Sequence, residues 1–286
     1  MAFGRVIREF VVAGVLAGVL AAMLVPGTLA AQDGRTLGWS EVAELTFVLT
    51  AGNASSSTFG FKNTADYLWE KTSLKFSAGA VRTESGLTTR TATGTPDNFT
   101  VSEDTETEVT AENFFLKSRL DRTVGEASFL YGGAGWDRNT FAGVQNRYGF
   151  VSGAGRNWFD EDSRRLKTDL GLTYTIQDDV VENPDADGSF LGLRGSYDYF
   201  RKLTETTGMT SVLIVDQNLN MTEDFRADWT NSIAVAMSER LALKTSLQIL
   251  YDKDPALTAI PLGGGKVLTP LGKVDTVFTV AIVANF

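Results

Sequence analysis

The chain has 286 residues, with 26 Lys and Arg against 35 Asp and Glu and a formal net charge of −9. That acidic balance excludes nucleic acid as a partner, because the phosphate backbone demands a basic surface. Cysteine and histidine are both absent, which removes disulfides, thiolate chemistry, Ser–His hydrolase dyads and His-ligated zinc.

The first element is a leader. Arg5 and Arg8 precede an apolar stretch from Phe10 to Val25, and Pro26-Gly27-Thr28-Leu29-Ala30-Ala31 then runs into the polar Gln32-Asp33. This is the pattern of a secretory signal peptide over residues 1–30, with cleavage after Ala30, or after Ala31 as second choice. The alternative is a membrane anchor, since the stretch approaches the length that spans a bilayer. Pro26 and the small residues after it speak for cleavage. Loss of Arg5, Arg8 and Glu9 would leave 24 basic and 34 acidic residues, a charge of −10. Beyond the leader, no stretch is long and apolar enough for a membrane helix.

Residues 31–286 read as one β domain, because alternation of period two recurs almost from end to end. Phe59, Phe61, Ala65, Tyr67 and Trp69 alternate with Lys62, Thr64 and Asp66. Leu74, Phe76 and Ala78 alternate with Lys75, Ser77 and Gly79. The same pattern sets Leu166, Leu170, Leu172, Tyr174 and Ile176 against Lys167, Asp169, Thr173 and Thr175, and Leu191, Leu193, Tyr197 and Tyr199 against Arg194, Ser196 and Asp198. Phe225, Trp229, Ile233 and Val235 oppose Arg226, Asp228 and Ser232; Leu241, Leu243, Leu247 and Ile249 oppose Lys244, Ser246 and Gln248.

Collected, these runs predict strands at 40–50, 57–69, 72–83, 108–121, 125–137, 146–159, 164–177, 189–202, 207–218, 223–237, 240–252 and 273–286. Many match the roughly 9–11 residues that cross a bilayer when tilted. The count, about twelve, is even, as a bacterial barrel requires. Connections alternate between short (Glu70-Lys71, Arg122 to Val124, Asp160 to Ser163, Leu203 to Thr206, Ser238-Glu239) and longer (Glu84 to Thr107, Arg138 to Gln145, Asp178 to Gly188, Lys253 to Gly272). Ala51 to Ser56 and Leu219 to Thr222 are modest members of the second set. Short periplasmic turns and long external loops are the habit of outer-membrane barrels. Aromatic residues fall at strand ends, as girdles do: Tyr67, Trp69, Trp158, Phe159, Tyr197 and Tyr199 at one end, Trp136 and Tyr251 at the other, with Trp229 the mid-strand exception. The last strand ends on Phe286, and a terminal Phe resembles the signal read by the barrel-assembly machinery.

The expected fold is therefore an all-β, transmembrane, antiparallel up-and-down β-barrel in the outer membrane of a Gram-negative bacterium. Thr50-Ala51-Gly52-Asn53-Ala54-Ser55, Gly153 to Arg156, Asp169-Leu170-Gly171-Leu172-Thr173-Tyr174, Leu250-Tyr251-Asp252-Lys253-Asp254-Pro255 and Asp275-Thr276 resemble the YdiY-like salt-induced outer-membrane proteins. The resemblance covers roughly Glu44 to Phe286, and the acidic insertion from Glu84 to Thr107 departs from it. It implies an outer-membrane barrel and no agreed activity, so it carries over no catalytic residue.

The residues expected to face the lumen are Lys62, Asp66, Lys75, Lys117, Arg119, Lys167, Asp169, Arg194, Asp198, Arg226, Asp228 and Lys244, together with Asp275. Interleaved signs fit a narrow aqueous pore whose charged rings tune selectivity. They fit also a salt-bridged plug, the reading that size favours, because small barrels fill their interiors with side chains. Inward Ser77, Gly79, Gly171, Ser196 and Ser246 would remove bulk along the wall, and Lys167, Arg194, Arg226 and Lys244 would set ion preference in an open lumen.

Asn183-Pro184-Asp185-Ala186-Asp187-Gly188 begins like a calcium loop, but Arg194 stands where the bidentate Glu belongs. Gly263-Gly264-Gly265-Lys266 lacks the Ser/Thr of a phosphate loop, since Val267 comes next, and reads as a flexible loop. Carboxylate pairs for acid–base catalysis are formally available at Asp66, Asp169 or Asp198, yet each has Lys or Arg nearby on its face, so ion pairing explains them. The expectation is a barrel that is not an enzyme, with no metal and no cofactor. Its partners would be outer-membrane lipids, lipopolysaccharide, the assembly machinery and small solutes or ions.

Overall fold

The computed structural model describes residues 37–50, 55–95, 98–183, 187–262 and 265–286. The expected leader at 1–30 lies outside the described residues, as do Pro184, Asp185 and Ala186 of the acidic loop and Gly263 and Gly264.

Among the described residues fourteen strands succeed one another: β1 (Gly38–Thr50), β2 (Ser55–Leu68), β3 (Thr72–Thr95), β4 (Asn98–Thr123), β5 (Ser128–Asn139), β6 (Val144–Glu161), β7 (Arg164–Asp179), β8 (Ser189–Lys202), β9 (Thr207–Asn218), β10 (Phe225–Ala236), β11 (Leu241–Asp252), β12 (Leu257–Leu262), β13 (Gly265–Pro270) and β14 (Val274–Asn285). Twelve of them close into a barrel in the order β1-β14-β11-β10-β9-β8-β7-β6-β5-β4-β3-β2, every neighbour antiparallel. β12 and β13 form a separate hairpin inside the connection from β11 to β14.

The inside of the barrel is identified by contacts between strands that are not neighbours in the sheet. Arg119 on β4 bonds Asp169 on β7, and Arg226 on β10 bonds Gln177 on β7. Such pairs can meet only across the interior. From these positions the registers carry one parity around the barrel, because successive side chains alternate faces. The opposite parity points outward and is apolar and bare: Leu170 is 58% exposed and Phe278 68%. A water-soluble sandwich buries those residues; this barrel displays them and encloses its charges instead.

Aromatic rings cluster at the turn end of the wall, where Trp39, Tyr67 and Trp69 stack with centroids 4.9 and 4.3 Å apart. Phe225 and Tyr251 pair at the loop end. Trp229, outward and mid-strand, satisfies its indole N–H on Tyr197 Oη (3.0 Å) and Ser211 Oγ (3.2 Å). That local trio accounts for its place away from the girdles.

Two expectations need correction. The segment Glu84 to Thr107, expected as a loop, is a two-stranded ribbon: β3 and β4 stay paired from Glu84↔Val109 up to Thr95↔Asn98, after a register shift at Thr83/Glu84. The side chains described from Thr100 to Glu108 are exposed on both faces, so the period-two signal vanishes while the Thr-rich composition still suits a strand. The connection Lys253 to Gly272 likewise holds the β12–β13 hairpin, with Lys266 paired opposite Pro261.

The closure is uneven. β1 pairs with β2 over thirteen residues but with β14 over four, Val42↔Asn285 to Leu45↔Ile282. Lys244 on β11 reaches past β14 to both oxygens of Glu44 on β1, at 3.0 Å each, and ties this short seam from inside.

Candidate functional site

The lumen gathers the inward charged positions of the described strands, and its two sides are built differently. On β5 to β7 the inward positions include Gly153, Gly155 and Gly171, where an added Cβ would collide with the rings of Tyr131 and Phe129 or with backbone. The glycines are seats. They let both rings lie flat against the wall, 6.3 Å apart, with Phe129 only 3% exposed and Tyr131 4%.

Charge is layered on those rings. The Arg119 guanidinium stacks 3.9 Å from the Tyr131 centroid and Lys167 Nζ lies 4.4 Å from that of Phe129, a favourable placement of cations on ring faces. Arg119 then bonds Asp121 (2.7 Å) and Asp169 (2.8 Å), and Lys167 bonds Asp121. Asp169 is 8% exposed, so this knot is desolvated and its pairing is obligatory.

The rest of that side is paired strand to strand. Arg147 grips Asp137 (3.2 and 2.9 Å) and Arg194 grips Asp216 (2.8 and 2.9 Å), each with two N–H groups on one carboxylate. Arg226 donates to Asp224 (2.9 and 3.1 Å) and Gln177 (3.0 Å), with Asp252 at 3.6 Å. Asp228 accepts from Gln248 at 2.9 and 3.0 Å. Asp198 lies opposite Lys167 in register and has no ion pair among the described residues.

On β14, β1, β2, β3 and β4 the lumen is wetter. Lys62 is 45% exposed along its side chain and sits 3.6 Å from Glu44; Lys75 is 53% exposed and sits 3.6 Å from Asp66. Lys117 and Asp275 are exposed although both face inward. Inward Val277 is also 40% exposed, which marks unfilled space beside β14. Gly79 does not widen this side as its small size suggests, because the Phe115 ring occupies the volume over it; Gly171 is likewise covered by Tyr131.

The twelve candidates thus share the inward parity, but the structure divides them. Arg119, Lys167 and Asp169 form the knot, with Asp198 opposite Lys167 in register; Arg194, Arg226 and Asp228 are held on the paired side; Lys62, Asp66, Lys75, Lys117 and Lys244 border the wet side. Sequence reasoning missed their partners Glu44, Asp121, Asp137, Arg147, Asp216 and Asp252, and the rings Phe115, Phe129 and Tyr131. Extending each strand's parity to its ends would have found the charged ones. Nothing in one strand's sequence announces that a ring will lie over a neighbour's glycine.

At the turn end a shallow recess is lined by Glu161, Ser163, Arg164, Tyr199, Arg201 and Lys202. There the Arg164 guanidinium donates to the Glu161 carboxylate at 3.0 Å. At the loop end Gly143, in the left-handed region at φ 81°, lies so close to Ala256 and Leu271 that a side chain there would collide with them. The β5–β6 and β11–β14 connections therefore touch across the mouth. Among the described residues no group of His, Cys, Asp or Glu is arranged to hold a metal ion.

Residues 43–286 match the family described as protein of unknown function, DUF481, and the chain belongs to that family. No curated protein matches the chain. Among solved structures it is similar to the translocator domain of the autotransporter NalP from Neisseria meningitidis, at 12% identity over 98% of this chain and 95% of that one, TM-score 0.45. It is similar also to the NanC porin (7% identity, 86% and 98% covered, TM-score 0.46) and to the outer membrane channel DcaP of Acinetobacter baumannii (8%, 87% and 95%, TM-score 0.35).

Proposed function

We propose that this DUF481 chain is an outer-membrane β-barrel of a Gram-negative bacterium whose lumen passes ions and small solutes along the β14–β4 side. The observation that carries the reading is the inverted distribution of polarity: bare apolar side chains outside, charges within, and inward Lys62, Lys75 and Lys117 accessible to water. An apolar outer belt is the solution for a barrel surrounded by lipid, and wet inward charges are what an aqueous path requires. Protein refolded into planar bilayers is expected to give discrete ion currents. A correctly folded barrel that stays silent overturns the channel and leaves the second reading, a non-conducting envelope barrel whose loops bind lipid or a protein partner. The contact of Gly143 with Ala256 and Leu271 across the mouth favours that alternative.

Export is tested separately. Protein recovered from outer membranes is expected to begin at Ala31 or Gln32; an intact Met1 in the inner membrane contradicts the leader. The likeness to salt-induced proteins adds that the chain should accumulate in the envelope as medium salt rises, which an immunoblot across salt concentrations checks. Catalysis has no part in this reading.

A further inference from the structure

The two sides of the lumen balance their charges differently, and this bears on transport only on the reading that the lumen is an aqueous passage. On the paired side Arg147, Arg194, Arg226 and Lys167 each have a carboxylate. On the wet side one carboxylate, Glu44, serves two ammonium groups, Lys244 at 3.0 Å and Lys62 at 3.6 Å. Lys117 has no ion pair among the described residues. Its ammonium lies 5.4 Å from the centroid of the Phe115 ring.

These groups are neighbours. Lys62 faces Gly79 in register, Gly79 faces Phe115, and Phe115 covers Gly79, so the ring lies between Lys62 and Lys117 on the wall. Lys62 is within electrostatic reach of both Lys244 and Lys117. Asp137, opposite Phe115 on β5, is held by Arg147, and Arg194 is held by Asp216, while Asp228, facing Lys117 from across the lumen, is bonded to Gln248. The Asp66–Lys75 pair nearby is neutral in sum. With Lys117 set against Asp228, Lys62 and Lys244 still share the single carboxylate of Glu44, and this surplus of positive charge, beside confined water and walled by low-dielectric protein, concentrates anions.

We propose that Lys62 and Lys244, which share Glu44, and Lys117 on the other side of the Phe115 ring form an anion-binding station through which small anions pass in preference to cations. Chloride is held by the ammonium groups alone. A small organic carboxylate places its charge on Lys62 and Lys117 and its hydrocarbon part on Phe115, which makes small carboxylates the favoured class.

The experiment uses the whole exported chain refolded into planar bilayers. Its reversal potential in a potassium chloride gradient is expected to show anion preference, which Lys62→Gln and Lys117→Gln reduce and Lys117→Glu turns toward potassium. Lys244 stays in place because its bond to Glu44 ties the seam. Neutralising Arg194 and Asp216 together, as Arg194→Gln with Asp216→Asn, is expected to leave the preference unchanged. Benzoate is expected to reduce chloride current in the wild type and to do so several-fold less in Phe115→Leu. A pore that prefers potassium, or whose preference ignores Lys117→Glu, overturns the station while leaving the passage standing. Benzoate block that ignores both Phe115→Leu and Lys117→Gln overturns the carboxylate assignment. A folded, silent barrel overturns both the station and the passage.

Discussion

The β5–β7 wall and the β14–β4 wall have the same strand geometry and the same alternation, yet they use their inward positions in opposite ways. In the first, glycines accept the rings of Tyr131 and Phe129, and cations stacked on the rings are locked by Asp121 and Asp169. In the second, Lys62 and Lys75 extend into water, each 3.6 Å from its carboxylate. The lesson is that charge content does not decide whether a barrel is filled. What decides it is whether the wall supplies flat places against which long side chains can be laid down and satisfied.

The largest expected effect falls on the knot. Asp121→Ala removes the partner shared by Arg119 and Lys167 and should cost about 3–5 kcal/mol, as breaking a desolvated ion pair does. Asp66→Ala on the wet wall should cost only about 0–1 kcal/mol, because water screens its partner Lys75. Urea unfolding of vesicle-reconstituted protein measures both, and equal losses would erase the distinction between the walls.

The outer face should ignore that distinction. Leu170→Arg on the first wall and Leu247→Arg on β11 should each destabilise by about 2–4 kcal/mol in the bilayer. The inner face should reveal it: Thr173, 5% exposed and packed beneath Gly192, has no room for Arg, and overpacking of that kind costs about 1–3 kcal/mol. Ser246→Arg on β11, inward and half-buried, should be milder. If Thr173→Arg proved as mild as Ser246→Arg, the first wall would not be packed.

Smaller effects refine the picture. Trp229→Phe removes the N–H shared by Tyr197 and Ser211 on the outward face and should cost about 1 kcal/mol. Tyr131→Phe keeps the ring under Arg119 while deleting a buried hydroxyl that lies near Asp169 but makes no well-formed hydrogen bond among the described residues. Stability should hold or rise by less than about 1 kcal/mol; a marked loss would mean that the hydroxyl, rather than the ring face, supports the knot.

Much of the fold was legible in the sequence because a strand facing two different media writes them into alternate residues. The parity of Leu166 to Ile176 or of Leu241 to Tyr251 is enough to sort outside from inside, and the short and long connections order the ends. The ribbon from Glu84 to Thr107 was not legible by this means, since its described side chains from Thr100 onward are exposed on both faces. Its run of Thr88, Thr89, Thr91, Thr93 and Thr95 was the signal available. The partners within the lumen were harder still. Arg194 and Asp216 are direct cross-strand neighbours and could be paired once the register was known, whereas Arg119 and Asp169 are fifty positions apart on strands three places apart.

By itself the sequence determined an all-β chain with an apolar face, a charged face and about twelve strands, because side-chain alternation is a local property of extended backbone. Only the tertiary structure decided which charges meet, which glycines are seats for rings, that Lys244 crosses the seam to Glu44, and that Lys117 stands in water without an ion pair among the described residues. Those outcomes depend on curvature: closing the sheet brings β4 toward β7 and β11 toward β1, and no pattern confined to one strand records the distance between residues that meet only across the inside of a barrel.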